Sequence, residues 1–387
     1  MRIAYVCTDP GIPVFGRKGA SVHAQAVLRE LARAGHELHL LTPRPGPDER
    51  PAGLDGVTVH VLPAVGRGSA AEREVRAQAS DAAVAAVLDA LAPDLVYERY
   101  ALWGRTASAW AARASVPAVL EVNAPLVDEQ ATFRELADTA GAEAVARDAL
   151  SAAGTVVCVS DAVADWVRGV SRHPERVVVE PNGVDPERVH PGPRPVAEAT
   201  AATFTVGFVG TLKAWHGLDL LVDAVARLAA TDPSWRLLLV GDGPMAGPLA
   251  EQASQLGLGD RLELTGAVDP ADVAAHLHRM DIACAPYPAG GHAYFSPLKA
   301  YEYLAAGLPV VASAVGQLPA ALDHGRLGRL VPAGDVDALA RELGAVRADV
   351  AWRAEVGPAA RRAALERHTW TAAVERVLAA ATGRRAA

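Results

Sequence analysis

Short, unbroken apolar runs alternate with longer amphipathic stretches along nearly the whole chain, and this alternation limits the fold more than any other feature. A strand buried on both faces reads as continuous Val, Ile and Leu, and parallel pairing needs a crossover helix between neighbours. Strands are predicted at Arg2–Cys7, Glu37–Thr42, Val57–Leu62, Leu95–Arg99, Ala118–Val122, Thr155–Val159 and Val177–Glu180. Helices are predicted between them: from a Ser21 cap to about Ala34, over Glu72–Leu91, near Thr106–Ala114, and over roughly Asp128–Ser151. Residues 186–203, rich in Pro and Ala and without a period, read as a linker. The pattern then restarts, with strands at Thr205–Val209, Arg236–Val240, Arg261–Thr265, Asp281–Pro286 and Pro309–Ala314. Expected helices in this half include Gly217–Ala230 and Leu298–Ala306. The expected fold is therefore α/β: two doubly wound, Rossmann-like parallel-sheet domains, over 1–190 and 200–365, with a cleft between the carboxyl ends of their strands. A last amphipathic stretch, about 369–382, is expected to pack back on the first domain.

Charge removes several classes of partner. With 37 basic against 45 acidic residues the net charge is −8, and neither half is cationic, so neither nucleic acid nor an anionic lipid surface is an expected partner. Tyr303–Leu322 holds 20 uncharged residues. It is broken by Gly307-Leu308-Pro309 and Gly316-Gln317-Leu318-Pro319, so no membrane insertion is expected. Cys7, Cys158 and Cys284 lie far apart in strand contexts, which predicts buried thiols in a reducing cytoplasm and no metal knuckle. The apolar run before Asp9 is too short for a leader peptide.

Of the 37 basic residues only Lys18, Lys213 and Lys299 are lysines. Lys18 stands in Phe15–Ser21, the loop after the first strand; Lys213 stands in Gly210–Gly217, the loop after the first strand of the second half; Lys299 stands at a helix start. Each segment feeds a helix N-terminus, where free N–H groups and the dipole favour an anion. A lysine adds a compact cation there, so the three together suit a diphosphate; solvated surface lysines are the plainer alternative. Gly19 lets a ligand approach the backbone closely. The spacing Gly11, Gly16, Gly19 lacks the GxGxxG dinucleotide fingerprint, which removes the main support for a nicotinamide role. Glu302 is the one carboxylate between Asp281 and Asp323 and sits among Tyr301, Tyr303 and Leu304. A ribose diol satisfies such a carboxylate, and so does a salt bridge to an arginine.

With these residues in view, the second half resembles the donor-binding domain of retaining GT-B glycosyltransferases of family 4. Ser296–Ser313 is the most specific segment; Val209–Lys213 with His216-Gly217, Val240–Pro244 and Pro181–Asp185 support it. In the first half Gly19, Gly35-His36-Glu37, Tyr97–Tyr100 and Glu121–Leu126 resemble one branch of the same family. The resemblance implies transfer from a nucleotide-diphosphate sugar with retention, with no metal and no cofactor. It also implies that Glu302 holds the ribose hydroxyls. Ser296, Leu298 and Lys299 would lie on the loop that meets the diphosphate, Gly19 on the distal phosphate, and Ala267 and Val268 against the base. Gly210 and Gly241 complete the implied donor loops. Three positions depart from the pattern: the motif's first glutamate falls on Tyr294, its arginine and lysine fall on Thr211 and His216, and a histidine near the acceptor falls on Asn123.

Lys213 becomes the expected phosphate cation, with Lys299, Gly19 and His216 helping to stabilise the leaving group, and Asn123 stands at the acceptor hydroxyl. Asp9, Glu98 and Glu121 each end or follow a strand; gathered together they suit a small polar or amine-bearing acceptor, such as an amino sugar, an aminocyclitol or another natural product. His23 faces either the cleft or the core, and Trp215 either lines the donor site or covers apolar surface. The expected enzyme is a hexosyltransferase-type glycosyltransferase. A sugar-nucleotide-binding subunit of low turnover, or an epimerase or hydrolase on the same fold, are the alternatives.

Overall fold

The computed structural model describes residues 1–193, 203–290 and 294–383. The chain divides into two compact units. The first comprises Met1–Asn182, Tyr294–Ser296 and residues 370–383; the second comprises residues 183–193, 203–290 and Pro297–Thr369.

Unit 1 is built on seven strands: β1 Arg2–Cys7, β2 Glu37–Thr42, β3 Thr58–Val61, β4 Leu95–Arg99, β5 Ala118–Val122, β6 Thr155–Cys158 and β7 Val177–Val179. They pair in the order β3-β2-β1-β4-β5-β6-β7, and every pairing is parallel. Unit 2 has six: β8 Phe204–Val209, β9 Trp235–Val240, β10 Leu262–Leu264, β11 Ile282–Ala285, β12 Val310–Ser313 and β13 Arg329–Val331, in the parallel order β10-β9-β8-β11-β12-β13. In each sheet the order reverses beside the first strand, at β1/β4 and at β8/β11. Crevices for ligands open at the carboxyl ends of strands at such a point. The central strands β1, β4, β5 and β8 have almost fully buried side chains, as two-sided helix cover requires. The three cysteines are buried and free. Among the described residues no helix is long and apolar enough to cross a membrane.

Several expected elements differ. Glu72–Leu91 is two helices, Ala70–Ala82 and Val84–Leu91. The first is closed by a capping box in which the Ser69 hydroxyl accepts from Glu72 N–H. Asp128–Ser151 is also two, Leu126–Phe133 and Thr139–Ala152; Arg134 is extended and Asp138 caps the second through Gly141 N–H. Ser21 caps nothing. The helix begins at Gly19, and the Ser21 hydroxyl donates to Pro13 O at 2.6 Å. β13 has no counterpart in the expected elements.

The described part of the expected linker, 186–193, is tied into unit 2. Val184 bridges Thr369, and Arg361 donates to the carbonyls of Pro186, Val189 and Ala305. Residues 194–202 of that expected linker lie outside the described residues. The helix Trp370–Thr382 belongs to unit 1, where the Trp370 ring meets the His23 ring edge-on with centroids 4.8 Å apart.

Strand parity corrects the expected gathering of carboxylates. Glu98 pairs in register with Val6 and Leu120, whereas Glu121 pairs with Arg99 and Val157. Side chains alternate along a strand, so Glu98 and Glu121 point to opposite faces of the sheet. Glu98 is buried under the helix Thr106–Ala114, where Ser108 donates to Oε2 from both N–H and hydroxyl; Oε1 has no partner. Burial and the nearby Asp81 raise its carboxyl from 4.5 to about 7, against the lowering effect of Ser108. Between pH 4.5 and about 7 the folded protein therefore binds more protons at this site than the unfolded chain, and stability falls as pH rises through that window. Glu98→Gln is expected to stabilise by about 1–3 kcal/mol at pH 8 and by almost nothing at pH 5. Tm measured across that range, with no widening difference, would remove this assignment.

Candidate active site

At the β8/β11 switch point of unit 2, four groups converge. Gly210 follows β8 at φ 144°, and Gly241 follows β9 at φ 132°; a Cβ on Gly241 would lie 2.1 Å from Gly210 O. The two loops therefore meet backbone to backbone, which only glycine allows. Gly241 N–H donates to Thr265 Oγ1 at 3.1 Å, and Gly241 bridges Gly266, so Ala267 and Val268 leave β10 directly beside this loop. Tyr303 ties the two strand ends together: its hydroxyl accepts from Val209 N–H at 2.9 Å and lies 3.5 Å from Cys284 O.

Lys299 enters from the first turn of the helix Leu298–Ala305. Its Nζ donates to Tyr287 Oη at 3.2 Å and lies 4.5 Å from the centre of the Phe208 ring, with its Cε 3.5 Å from where a Gly210 Cβ would be. Burial lowers this ammonium from 10.5 to about 7, although Glu302 opposes the shift. Lys213 lies 5.4 Å over the exposed Trp215 ring, so Trp215 (57% exposed) carries a cation on its face and is not core.

His216 does not supply a cation. Its Nδ1 lies 2.7 Å from Thr211 O; a carbonyl only accepts, so Nδ1 carries the proton and Nε2 a lone pair. Burial, Lys299 and Lys213 together hold it down at about 3, against the Thr211 bond, so the ring is neutral at physiological pH. The expected charge assistance from His216 is corrected accordingly.

Glu302 is an ion pair as well as a donor candidate. Arg188 Nη2 donates to Oε1 at 3.0 Å and Arg188 Nη1 to Pro270 O at 2.9 Å. Burial raises the Glu302 carboxyl, while Arg188 and Lys299 oppose the rise. Arg188 is the residue that sequence reasoning missed, because it falls within the stretch taken for linker.

The remaining expected site residues lie in unit 1. Gly19 opens its helix, and a Cβ there would meet nothing within 4 Å; its φ is not positive, so no packing or backbone demand of the protein requires glycine at this position. Lys18 Nζ donates to Gly11 O at 3.1 Å, closing its own loop. Asp9 caps the same turn, accepting from Gly11 N–H at 2.7 Å. His23 is 4% exposed and packs in the core beside Glu121. Ser296 is buried, and its hydroxyl accepts from Asn182 N–H at 3.0 Å. Tyr294, at the position of the absent motif glutamate, donates its hydroxyl to Glu129 at 2.7 Å and accepts from the Ser160 hydroxyl at its carbonyl. Among the described residues no cluster of His, Cys, Asp or Glu could hold a metal ion.

Two doubly wound sheets in one chain, each with its candidate ligand loops at a switch point, are the GT-B architecture. Solved structures share the fold. Sucrose-phosphate synthase from Thermosynechococcus elongatus superposes with TM-score 0.74 at 23% identity, covering 97% of both chains. WaaG, a glycosyltransferase of lipopolysaccharide biosynthesis, gives 0.74 at 16% identity over 98% of this chain and 100% of its own. Residues 17–188 match the Glycosyltransferase Family 4 domain and residues 203–349 match Glycosyl transferases group 1. The chain belongs to glycosyltransferase family 4, and it is an enzyme that takes its sugar from a nucleotide sugar. It is 28% identical to the D-inositol 3-phosphate glycosyltransferase of Stackebrandtia nassauensis, over 94% of this chain and 86% of that one. It is 29% identical to the GDP-mannose-dependent alpha-(1-6)-phosphatidylinositol monomannoside mannosyltransferase of Mycolicibacterium smegmatis, over 70% and 75%.

Proposed function

We propose that the enzyme transfers a hexose, with retention, from a nucleotide-diphosphate sugar to a hydroxyl of a small polyol acceptor. The observation that carries this reading is the Lys299 ammonium held among Phe208, Tyr287 and the Gly210 turn, at the switch point of unit 2. Lys299 and Lys213 supply the positive charge for the diphosphate, and the free Oε2 side of Glu302 takes a ribose hydroxyl while Arg188 holds Oε1. Ala267 and Val268 run beside the base, and Gly19 admits a phosphate to its helix start.

In the reaction the bond between the anomeric carbon and the phosphate oxygen breaks, and the acceptor oxygen bonds to that carbon on the same face. The acceptor's proton passes to the departing phosphate, so the chain needs no dedicated base. No metal enters this scheme, because the two lysines carry the countercharge.

A preference for amines loses its support, since Glu98 is committed to Ser108 and Glu121 to its own donors. The inositol acceptors in the relatives' names instead suggest a polyol. Thermal-shift screening against a panel of nucleotide sugars identifies the donor, because a ligand bound only by the native state raises Tm. Transfer is then assayed with EDTA present on D-inositol 3-phosphate, free inositol and amino sugars. Lys213→Ala is expected to lose about 10²–10³-fold in kcat/KM with Tm unchanged; near-normal turnover in that variant removes Lys213 from the site. Donor consumption that is the same with and without any acceptor would make the enzyme a hydrolase.

A further inference from the structure

Glu121 is buried and faces only donors. Arg99 Nη1 donates to Oε1 at 2.8 Å, Asn123 Nδ2 to Oε1 at 2.7 Å, and the Tyr97 hydroxyl to Oε2 at 2.7 Å. His23 Nε2 lies 2.9 Å from Oε1. Tyr97 and Arg99, two residues apart, share one face of β4, with Arg99 in register with Glu121, so the neighbouring strand delivers both donors to one carboxylate. Burial pushes the Glu121 carboxyl up, but His23, Arg99 and Asn123 outweigh it and hold the group well below the usual carboxylate range. The group is thus ionised and can only accept.

That has a consequence one residue beyond β5. Turning the Asn123 amide over would set its oxygen against the carboxylate, so the nitrogen must face inward. Oδ1 then has no partner among the described residues, on a residue that is only partly buried at the carboxyl edge of the sheet. Ligands of parallel sheets are met at this edge.

We infer that Glu121 is a positioning residue that locks the Asn123 amide so that Oδ1 accepts a hydrogen bond from the acceptor's reacting hydroxyl. An amide oxygen is too weak a base to remove the proton; it aims the O–H and leaves proton transfer to the departing phosphate. The inference rests on the acceptor binding at unit 1, and so on the proposed transfer reaction.

Glu121→Gln, Asn123→Ala and the double variant test it, with D-inositol 3-phosphate and free inositol as acceptors and donor hydrolysis by water as a second reaction. Expected are a rise of about tenfold in acceptor KM for each single variant, an unchanged donor KM, and a double variant no worse than Asn123→Ala alone. Additive losses, an equal rise in donor KM, or an unmoved acceptor KM in Glu121→Gln overturn it. Solvent exchange of the Asn123 side-chain amide, followed by NMR, tests the lock without any acceptor. Protection in the wild type that is lost in Glu121→Gln supports the inference, and fast exchange in both overturns it. Failure of the transfer reading would show separately, as a wild type that neither hydrolyses nor is stabilised by any nucleotide sugar.

Discussion

Lys299→Met is expected to lose about 10²–10³-fold in kcat/KM for the sugar nucleotide while keeping, or raising, its Tm. The two effects have one cause. The fold encloses an ammonium between two aromatic rings and a glycine turn, and burial has lowered it to about 7. From about pH 7 up to 10.5 the unfolded chain binds more protons here than the folded one, so the ligand-free protein gains stability as pH rises through that range. A thioether of similar length removes the penalty and with it the charge that meets a diphosphate. Donor affinity follows the opposite course: it should weaken as pH climbs past 7, because a neutral amine attracts no phosphate, and this dependence should vanish in the methionine variant. Kinetics and thermal melts at pH 6, 7 and 8.5 check both. A variant that loses activity and Tm together would show that Lys299 serves packing.

Gly241→Ala should be the most damaging single-methyl change in unit 2, costing about 3 kcal/mol or more. The added carbon would sit 2.1 Å from Gly210 O, on a backbone already at φ 132°, and neither obstacle is a side chain able to rotate away. Gly19→Ala is the matched contrast, since a Cβ there meets nothing and alanine suits a helix better than glycine. Its Tm should hold or rise while donor KM increases. Denaturant melts and donor kinetics on the pair separate a glycine kept for the protein's own backbone from one kept for a ligand. Equal stability losses in the two would remove the distinction.

The apolar runs marked twelve of the thirteen strands among the described residues, because parallel strands buried on both faces carry their own signal. β13, Arg329-Leu330-Val331, escaped, although β7 and β10 are equally short. The break at Arg134 was partly legible: Asp138 followed by Gly141 is a helix start, hidden by a strong helical period on either side. Parity along Tyr97-Glu98-Arg99 separates Glu98 from the Arg99 face in the sequence, but placing Glu121 on that face takes the β4/β5 register, which only the structure supplies. Nor were the partners of Glu302 and Tyr294 legible. Arg188 and Glu129 lie 114 and 165 positions away along the chain, and nothing local pairs residues at such separations. Likewise the tautomer of His216 depends on a carbonyl, which every residue has.

The backbone leaves unit 1 after Asn182 and rejoins it for good at Trp370. A chimera that trades one sugar-nucleotide module for another cannot therefore be made with a single splice at the midpoint. The graft has to spare the closing helix, whose Trp370 lies on His23 and whose Arg376 grips Glu180. It must also respect Tyr294–Ser296, a three-residue loan from within the exchanged segment. Recombinant libraries of such enzymes should be cut at both crossings, near 182 and 369, with the loaned tripeptide restored to the recipient's own sequence.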